Sequence, residues 1–156
     1  MTTRAVGSAV PNFEVAATGD KTVKLGDYLG KKVVLYFYPK DNTPGCTLEG
    51  QAFRDNIDLF AELNAVVLGV SRDSVKMHEG FKCKQQFPFD LLSDQDESLC
   101  KLFDVIKLKN MYGKQVQGIE RSTFVIDENG VLIKEWRKVQ VKSHVSEVLS
   151  FLQSLS

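Results

Sequence analysis

The chain has 156 residues, 43% hydrophobic and 26% charged, enough for one compact domain with a real core and ordinary for a globular protein. Lysine plus arginine equals aspartate plus glutamate at 20 each, so no net field favours nucleic acid or an anionic membrane surface. No stretch reaches the roughly 20 apolar residues of a membrane span, MTTRAVGSAVPNFEV has no apolar core of the secretory kind, and three cysteines without framework spacing argue against a disulfide-stapled fold, so a cytoplasmic protein is expected.

In chain order, Phe13–Val15 and Thr22–Leu25 read as a short hairpin at one edge of a sheet. Val33 to Tyr38 is a continuous apolar run ended by Pro39, the pattern of a strand buried on both faces. Cys46, Gly50, Phe53, Ile57 and Phe60 then follow spacings of 4, 3, 4 and 3, one face of a single helix. Ala65 to Val70 is a second buried strand, and strand–helix–strand implies a parallel pair with a right-handed crossover. Ser74 to Gln86 reads as a second helix, with Met77 and Phe81 marking its apolar face, and Glu97 to Phe103 as a short third one. Ser122–Ile126 and Val131–Trp136 flank Asp127-Glu128-Asn129-Gly130, a hairpin signal because Asn and Gly tolerate positive φ. Ser143 caps a closing amphipathic helix through Val145, Val148, Leu149 and Leu152. A βαβ unit followed by an antiparallel hairpin and a helix is a thioredoxin-like α/β arrangement: a central mixed sheet, flanking helices and an N-terminal hairpin extension, filling residues 1–156 as one domain.

The junction between the first buried strand and the first long helix, Pro39-Lys40-Asp41-Asn42-Thr43-Pro44-Gly45-Cys46, is where open α/β sheets place their sites. Pro44 suits the first helical turn, Thr43 is a natural N-cap, and Cys46 falls in that first turn. Unpaired N–H groups and the positive end of the helix dipole there favour an anion, and a cysteine so placed gains thiolate character and nucleophilicity. From position alone, Cys46 serves equally well as a small core residue, and Thr43 as a simple cap. His78 and His144 lie far apart in the sequence and make a poor metal cluster.

The string PxxxTxxC at this junction resembles the active-site signature of the peroxiredoxins, and YFYPKDNTPGCTLEGQAFRD is similar to the bacterioferritin-comigratory, or Q-type, branch of that family. The resemblance continues through LGVSRDS, LLSDQDESLCKLFDV and GIERSTFVIDENG, and so runs the length of the chain. It implies a thiol peroxidase without a cofactor or metal, reducing hydrogen peroxide and organic hydroperoxides through a sulfenic acid on Cys46. By the same resemblance Thr43 orients the peroxide, Pro39 shields the thiolate, and Arg121 is the active-site arginine. Arg121 read by itself is a surface charge. Glu49 is frequent after the cysteine in the family, and reads equally as a solvated acid complementing the helix dipole.

Many Q-type proteins carry a resolving cysteine five residues after the first, where this chain has Gln51. A second subgroup carries it in the next helix, at a position aligning with Lys82, beside Cys83. Cys83 shares a helical face with Lys76, Glu79, Gly80 and Gln86 and is expected to be accessible, whereas Cys100, among Leu99, Leu102 and Phe103, reads as packing. Cys83 is therefore the expected resolving thiol, forming an intramolecular disulfide that thioredoxin recycles; a glutaredoxin or glutathione system is the other donor. The alternatives are a one-cysteine peroxidase reduced by an external thiol and a redox sensor or chaperone. A general disulfide oxidoreductase is opposed by the missing second thiol in Cys46-Thr47-Leu48-Glu49. The resemblance also implies a monomer.

Overall fold

The computed structural model describes residues 5–155. In chain order the elements are β1 (Glu14–Ala17), β2 (Lys21–Lys24), a 3-10 turn (Leu25–Tyr28), β3 (Lys32–Phe37), α1 (Pro44–Asp55), α2 (Ile57–Glu62), β4 (Ala65–Ser71), α3 (Val75–Gln85), β5 (Leu91–Ser93), α4 (Ser98–Leu102), β6 (Ile106–Met111), β7 (Lys114–Ile119), β8 (Ser122–Ile126), β9 (Leu132–Trp136) and α5 (His144–Ser154). Seven strands form one sheet in the order β2-β1-β5-β4-β3-β8-β9. β3 pairs parallel with β4, and β4 with β5; β8 runs antiparallel to β3, and β1–β2 is an antiparallel hairpin at the edge. This is a thioredoxin-like mixed sheet. No helix among the described residues is long and apolar enough to cross a membrane.

β3 shows why its sequence is uninterrupted by polar residues. Val33, Leu35 and Phe37 enter one core cluster while Val34, Tyr36 and Tyr38 enter the other, so alternate side chains are buried on opposite faces of the sheet. The first cluster is closed by Leu99, Cys100 and Phe103. The second is closed by Cys46, Phe53 and Phe60, by Phe81, and by Val145, Val148 and Leu152.

The helix expected from Cys46 to Phe60 is broken. α1 ends at Asp55, and Asn56, at φ −115° and ψ 13°, separates it from α2. The Asn56 side chain donates to the Ala52 carbonyl at 2.8 Å, taking the acceptor that a continuing helix would offer the Asn56 N–H. The hairpin of β8 and β9 forms as expected, but only Gly130 of the turn has positive φ, at 82°. Asp127 supplies the rest: its carboxylate accepts from the N–H groups of Asn129 and Val131. Ser143 sits at the N-cap of α5 in a left-handed conformation without a side-chain capping bond, contrary to its expected role. Ser74 does cap α3, accepting from the Met77 N–H at 3.2 Å. The buried face of α3 is His78 and Phe81, whereas Met77, expected there, is exposed.

Candidate active site

β3 delivers the chain to Pro39, and the loop from Pro39 to Thr43 turns it into α1. Pro44 occupies the first turn of α1, where its missing N–H costs nothing. Thr43 is at the N-cap as expected but makes no capping bond; its hydroxyl donates instead to the Lys40 carbonyl at 2.7 Å. That contact uses the hydroxyl proton and leaves the oxygen lone pairs free to accept a proton from a ligand. Cys46 is 2% exposed, and helix geometry leaves the N–H groups of Gly45 and Cys46 without helical acceptors.

Arg121 immediately precedes β8, which lies beside β3 in the sheet, and this brings its guanidinium to the N-terminus of α1. Nη2 is 3.5 Å from Cys46 Sγ, and Nη1 donates to Glu49 Oε1 at 2.6 Å. Gly45 makes the approach possible: a Cβ there would lie 3.2 Å from Arg121 Nη2. Glu49 is not the solvated acid its position allowed. Its side chain is 0% exposed, one turn after Cys46, and its second oxygen, Oε2, has no hydrogen-bond partner. Burial pushes its carboxyl up to about 7 against the opposing pull of Arg121. For Arg121, burial opposes the charge, but Glu49 and Cys46 together outweigh it and raise its pKa.

The sequence reading missed Lys109 on β6. It is half-buried, its ammonium donates to the Ile119 carbonyl, and its charged form is disfavoured by burial first and by Arg121 second, and favoured by Cys46. The alternation of lysines in IKLKNM gave no sign of which one turns inward. It also missed Tyr36, whose hydroxyl is buried without a partner; burial and then Glu49 push its phenol well above the usual range.

The other two cysteines separate as expected. All three thiols are free, with Cys83 exposed and Cys100 buried. Burial and the nearby Asp94 carboxylate push the Cys100 thiol far up, which keeps it inert. Lys82 is held elsewhere, its ammonium 3.0 Å from Asp90 Oδ1. His78 and His144 stay apart in function. His144 is buried against Thr123 Oγ1 at 2.8 Å, and His78 lies with Asp41 and Asp73, their ligand atoms within 4.8 Å of one another. That spacing suits a cation, but the atoms are already engaged: Asp41 with Tyr38 and His78, Asp73 with Ser71 and the Asp41 N–H, His78 with Asp41 and the Leu92 carbonyl.

The structure thus brings together a buried cysteine in the first turn of a helix, an arginine guanidinium 3.5 Å from its sulfur and a threonine at the N-cap of the same helix. Comparison with known proteins gives this arrangement a context. Residues 6–135 match the AhpC/TSA family. Peroxiredoxin Bcp of Bacillus subtilis is 55% identical over 151 residues, 97% of this chain and 96% of that protein. Peroxiredoxin Bcp of Xanthomonas campestris is 50% identical over 147 residues, 94% of this chain and 92% of that one. Among solved structures, Xanthomonas campestris Peroxiredoxin Q superposes with a TM-score of 0.87 at 51% identity, covering 91% of this chain and 90% of its own. The bacterioferritin comigratory protein of the same organism, studied for its alkyl peroxide reduction activity, gives a TM-score of 0.91 at 47% identity, covering 97% and 99%.

Proposed function

The chain belongs to the AhpC/TSA family as a peroxiredoxin of the Bcp type, a hydroperoxide-reducing enzyme, and from that premise we propose a two-cysteine cycle centred on Cys46. The observation that carries it is the Arg121 guanidinium, 3.5 Å from Cys46 Sγ at the start of α1. A guanidinium and a helix N-terminus converge on one sulfur, placing donors where charge moves during attack on peroxide.

The thiolate attacks the terminal oxygen of a hydroperoxide. A sulfur–oxygen bond forms as the oxygen–oxygen bond breaks, and the leaving oxygen departs with a proton as water or alcohol. Thr43 accepts from the peroxide hydroxyl, since its own proton is committed to Lys40. Arg121 and the free N–H groups of Gly45 and Cys46 stabilise the charge that moves from sulfur to the leaving oxygen. Pro39, half-buried at the loop entrance, limits solvent around the sulfur. Organic hydroperoxides are proposed substrates beside hydrogen peroxide, on the model of the Xanthomonas campestris bacterioferritin comigratory protein.

Cys83 then attacks the Cys46 sulfenic acid, forming a disulfide and releasing water, and a dithiol donor of the thioredoxin type restores both thiols. Exposure of Cys83 on α3 supports this assignment over Cys100. Such a cycle belongs in a reducing compartment, the cytoplasm. Cys46, Thr43, Arg121 and Glu49 come from one chain, so a monomer suffices.

Peroxide consumption coupled to thioredoxin and its reductase tests the cycle. Cys46→Ser abolishes turnover while leaving the fold intact, and Arg121→Ala slows it about a hundredfold, the loss expected for one stabilising donor. Mass mapping of the oxidised protein finds Cys46 joined to Cys83. Turnover by the serine variant overturns the assignment of Cys46, and turnover with Cys46 oxidised but unpaired makes this a one-cysteine enzyme.

A further inference from the structure

Cys46 and Cys83 lie on different helices and face different surroundings. Cys46 belongs to the core cluster under α1, and α3 turns His78 and Phe81 toward that same cluster. Cys83 follows Phe81 by two positions, about 200° around the helix, and is exposed. The disulfide proposed above therefore requires α3 to leave its place, and the contacts that hold α3 set the pace of the second step.

Polar contacts at both ends of α3 tie it directly to the parts of the chain that carry the peroxide site. At its N-terminal half, His78 Nδ1 is 2.6 Å from Asp41 Oδ2, with both side chains 0% exposed. Asp41 lies inside the Pro39–Thr43 loop, and it is itself fixed by Tyr38, whose hydroxyl donates to Oδ1 at 2.6 Å. The opposite ring nitrogen of His78, Nε2, is 2.8 Å from the Leu92 carbonyl. Both ring nitrogens of His78 therefore lie at hydrogen-bonding distance from an oxygen, one on the active-site loop and one on β5. At the C-terminal end, Gln51 of α1 donates to Gln85 Oε1 at 2.9 Å, and Arg54 donates to the Gln85 carbonyl at 2.9 Å.

We propose that His78 is a positioning residue for disulfide formation: its buried bond to Asp41 latches α3 to the active-site loop, and release of that bond governs how fast Cys83 reaches oxidised Cys46. The proposal rests on the two-cysteine cycle. A buried pair parted in place leaves both polar groups unsatisfied, so the latch opens only as α3 comes away and both groups meet water. Closed, it holds Cys83 on the exposed face of α3, away from Cys46. Open, it frees Cys83. The longer the latch holds after oxidation, the longer the sulfenic acid stands exposed to a second peroxide, which carries it to the sulfinic acid.

Two substitutions separate the latch from a general packing role. Asn places a side-chain nitrogen where His has Nδ1, so His78→Asn keeps the donor to Asp41, whereas His78→Gln places its nitrogen near Nε2 and keeps only the Leu92 contact. Rapid-quench mass spectrometry reads sulfenic acid formation and Cys46–Cys83 disulfide formation separately. His78→Gln is expected to form the disulfide about tenfold faster, the effect of losing one buried hydrogen bond, with sulfenic acid formation within about twofold of the native protein. It also requires more peroxide for sulfinic acid to accumulate. His78→Asn stays near the native rate for both steps. Amide exchange accelerates in α3 of His78→Gln and not in β3, β4 or β8. Should His78→Gln fail to fold, Gln85→Ala loosens the other end of α3 and accelerates the disulfide in the same direction. A native disulfide whose rate is unchanged or slower in His78→Gln and in Gln85→Ala overturns the latch alone. A native protein that never joins Cys46 to Cys83 overturns the two-cysteine cycle, and the latch with it.

Discussion

Glu49 is held where a carboxylate is costly: it is fully buried, one oxygen bonded to Arg121 at 2.6 Å and the other without a partner. Its ionisation near 7 decides how much of the Arg121 charge remains available to Cys46. With Glu49 protonated, the guanidinium faces the sulfur as a full charge; with Glu49 ionised, the pair is nearly neutral and stabilises less well the charge that moves during peroxide attack. Glu49→Gln holds the site in the first state at every pH. The ratio of native to Glu49→Gln rate constants for peroxide attack is therefore expected to fall as pH rises through 7. Stopped-flow measurement from pH 5.5 to 8.5 checks this, and a ratio independent of pH removes Glu49 from control of peroxide attack. The roles proposed for Cys46, Thr43 and Pro39 could be read together because these residues are neighbours in one string. The role of Glu49 was not, since its partner Arg121 lies 72 residues away and nothing local distinguishes a paired first-turn acid from a solvated one. The same holds for His78 and Asp41, which are 37 residues apart, and Met77 rather than His78 was read as sharing the apolar face with Phe81.

At the scale of elements, α1 and α3 each contain a glycine, and the two have opposite surroundings. A Cβ on Gly50 would meet the Phe87 ring at 2.3 Å, with two more ring carbons within 3.0 Å. A Cβ on Gly80 would meet nothing within 4 Å. Helix propensity alone favours alanine at both by about 1 kcal/mol. At Gly50 the clash dominates, and overpacking of this kind costs about 1–3 kcal/mol or more, so Gly50→Ala is expected to destabilise the protein. At Gly80 the propensity gain stands, stabilising α3 by about 1 kcal/mol and slowing Cys46–Cys83 disulfide formation by about fivefold if the helix must unwind first. Urea denaturation gives the first quantity and quenched mass spectrometry the second. Equal stability of the two variants would contradict the packing on which both expectations rest. The buried strands β3, β4 and β8 were readable because burial on both faces demands unbroken apolar runs. The β6–β7 hairpin was not, because Leu108, Tyr112 and Val116 are exposed and its strands pair only with each other, so no buried face imprints alternation on the sequence. The break after α1 was hidden because Asn56 interrupts the backbone without interrupting the apolar spacing.

For the whole molecule, two buried groups set opposing dependences of stability on pH. Glu49 moves from 4.5 in an unfolded chain to about 7 in the folded one, so between those values the unfolded chain releases a proton that the folded protein keeps, and stability falls as pH rises. His144, beside Phe53 and Trp136, moves the other way, from 6.5 to about 4, through burial and then the charge of Arg121. Between those values the unfolded chain holds a proton that the folded protein rejects, so stability falls as pH falls. From 4.5 to 6.5 the two slopes, each about 1.4 kcal/mol per pH unit, cancel. Single variants uncover each slope. Glu49→Gln leaves His144 unopposed, and its stability should climb by about 3 kcal/mol as pH rises from 4 to 6.5. His144→Asn leaves Glu49 unopposed, and its stability should decline by a similar amount from pH 4.5 to 7. Urea denaturation at half-unit steps measures all three proteins, and native and variant curves that run parallel would mean that neither group changes its affinity for protons on folding. The two groups are coupled through Arg121, which lowers both, so the arginine beside Cys46 also shapes the acidity range over which the fold is most secure.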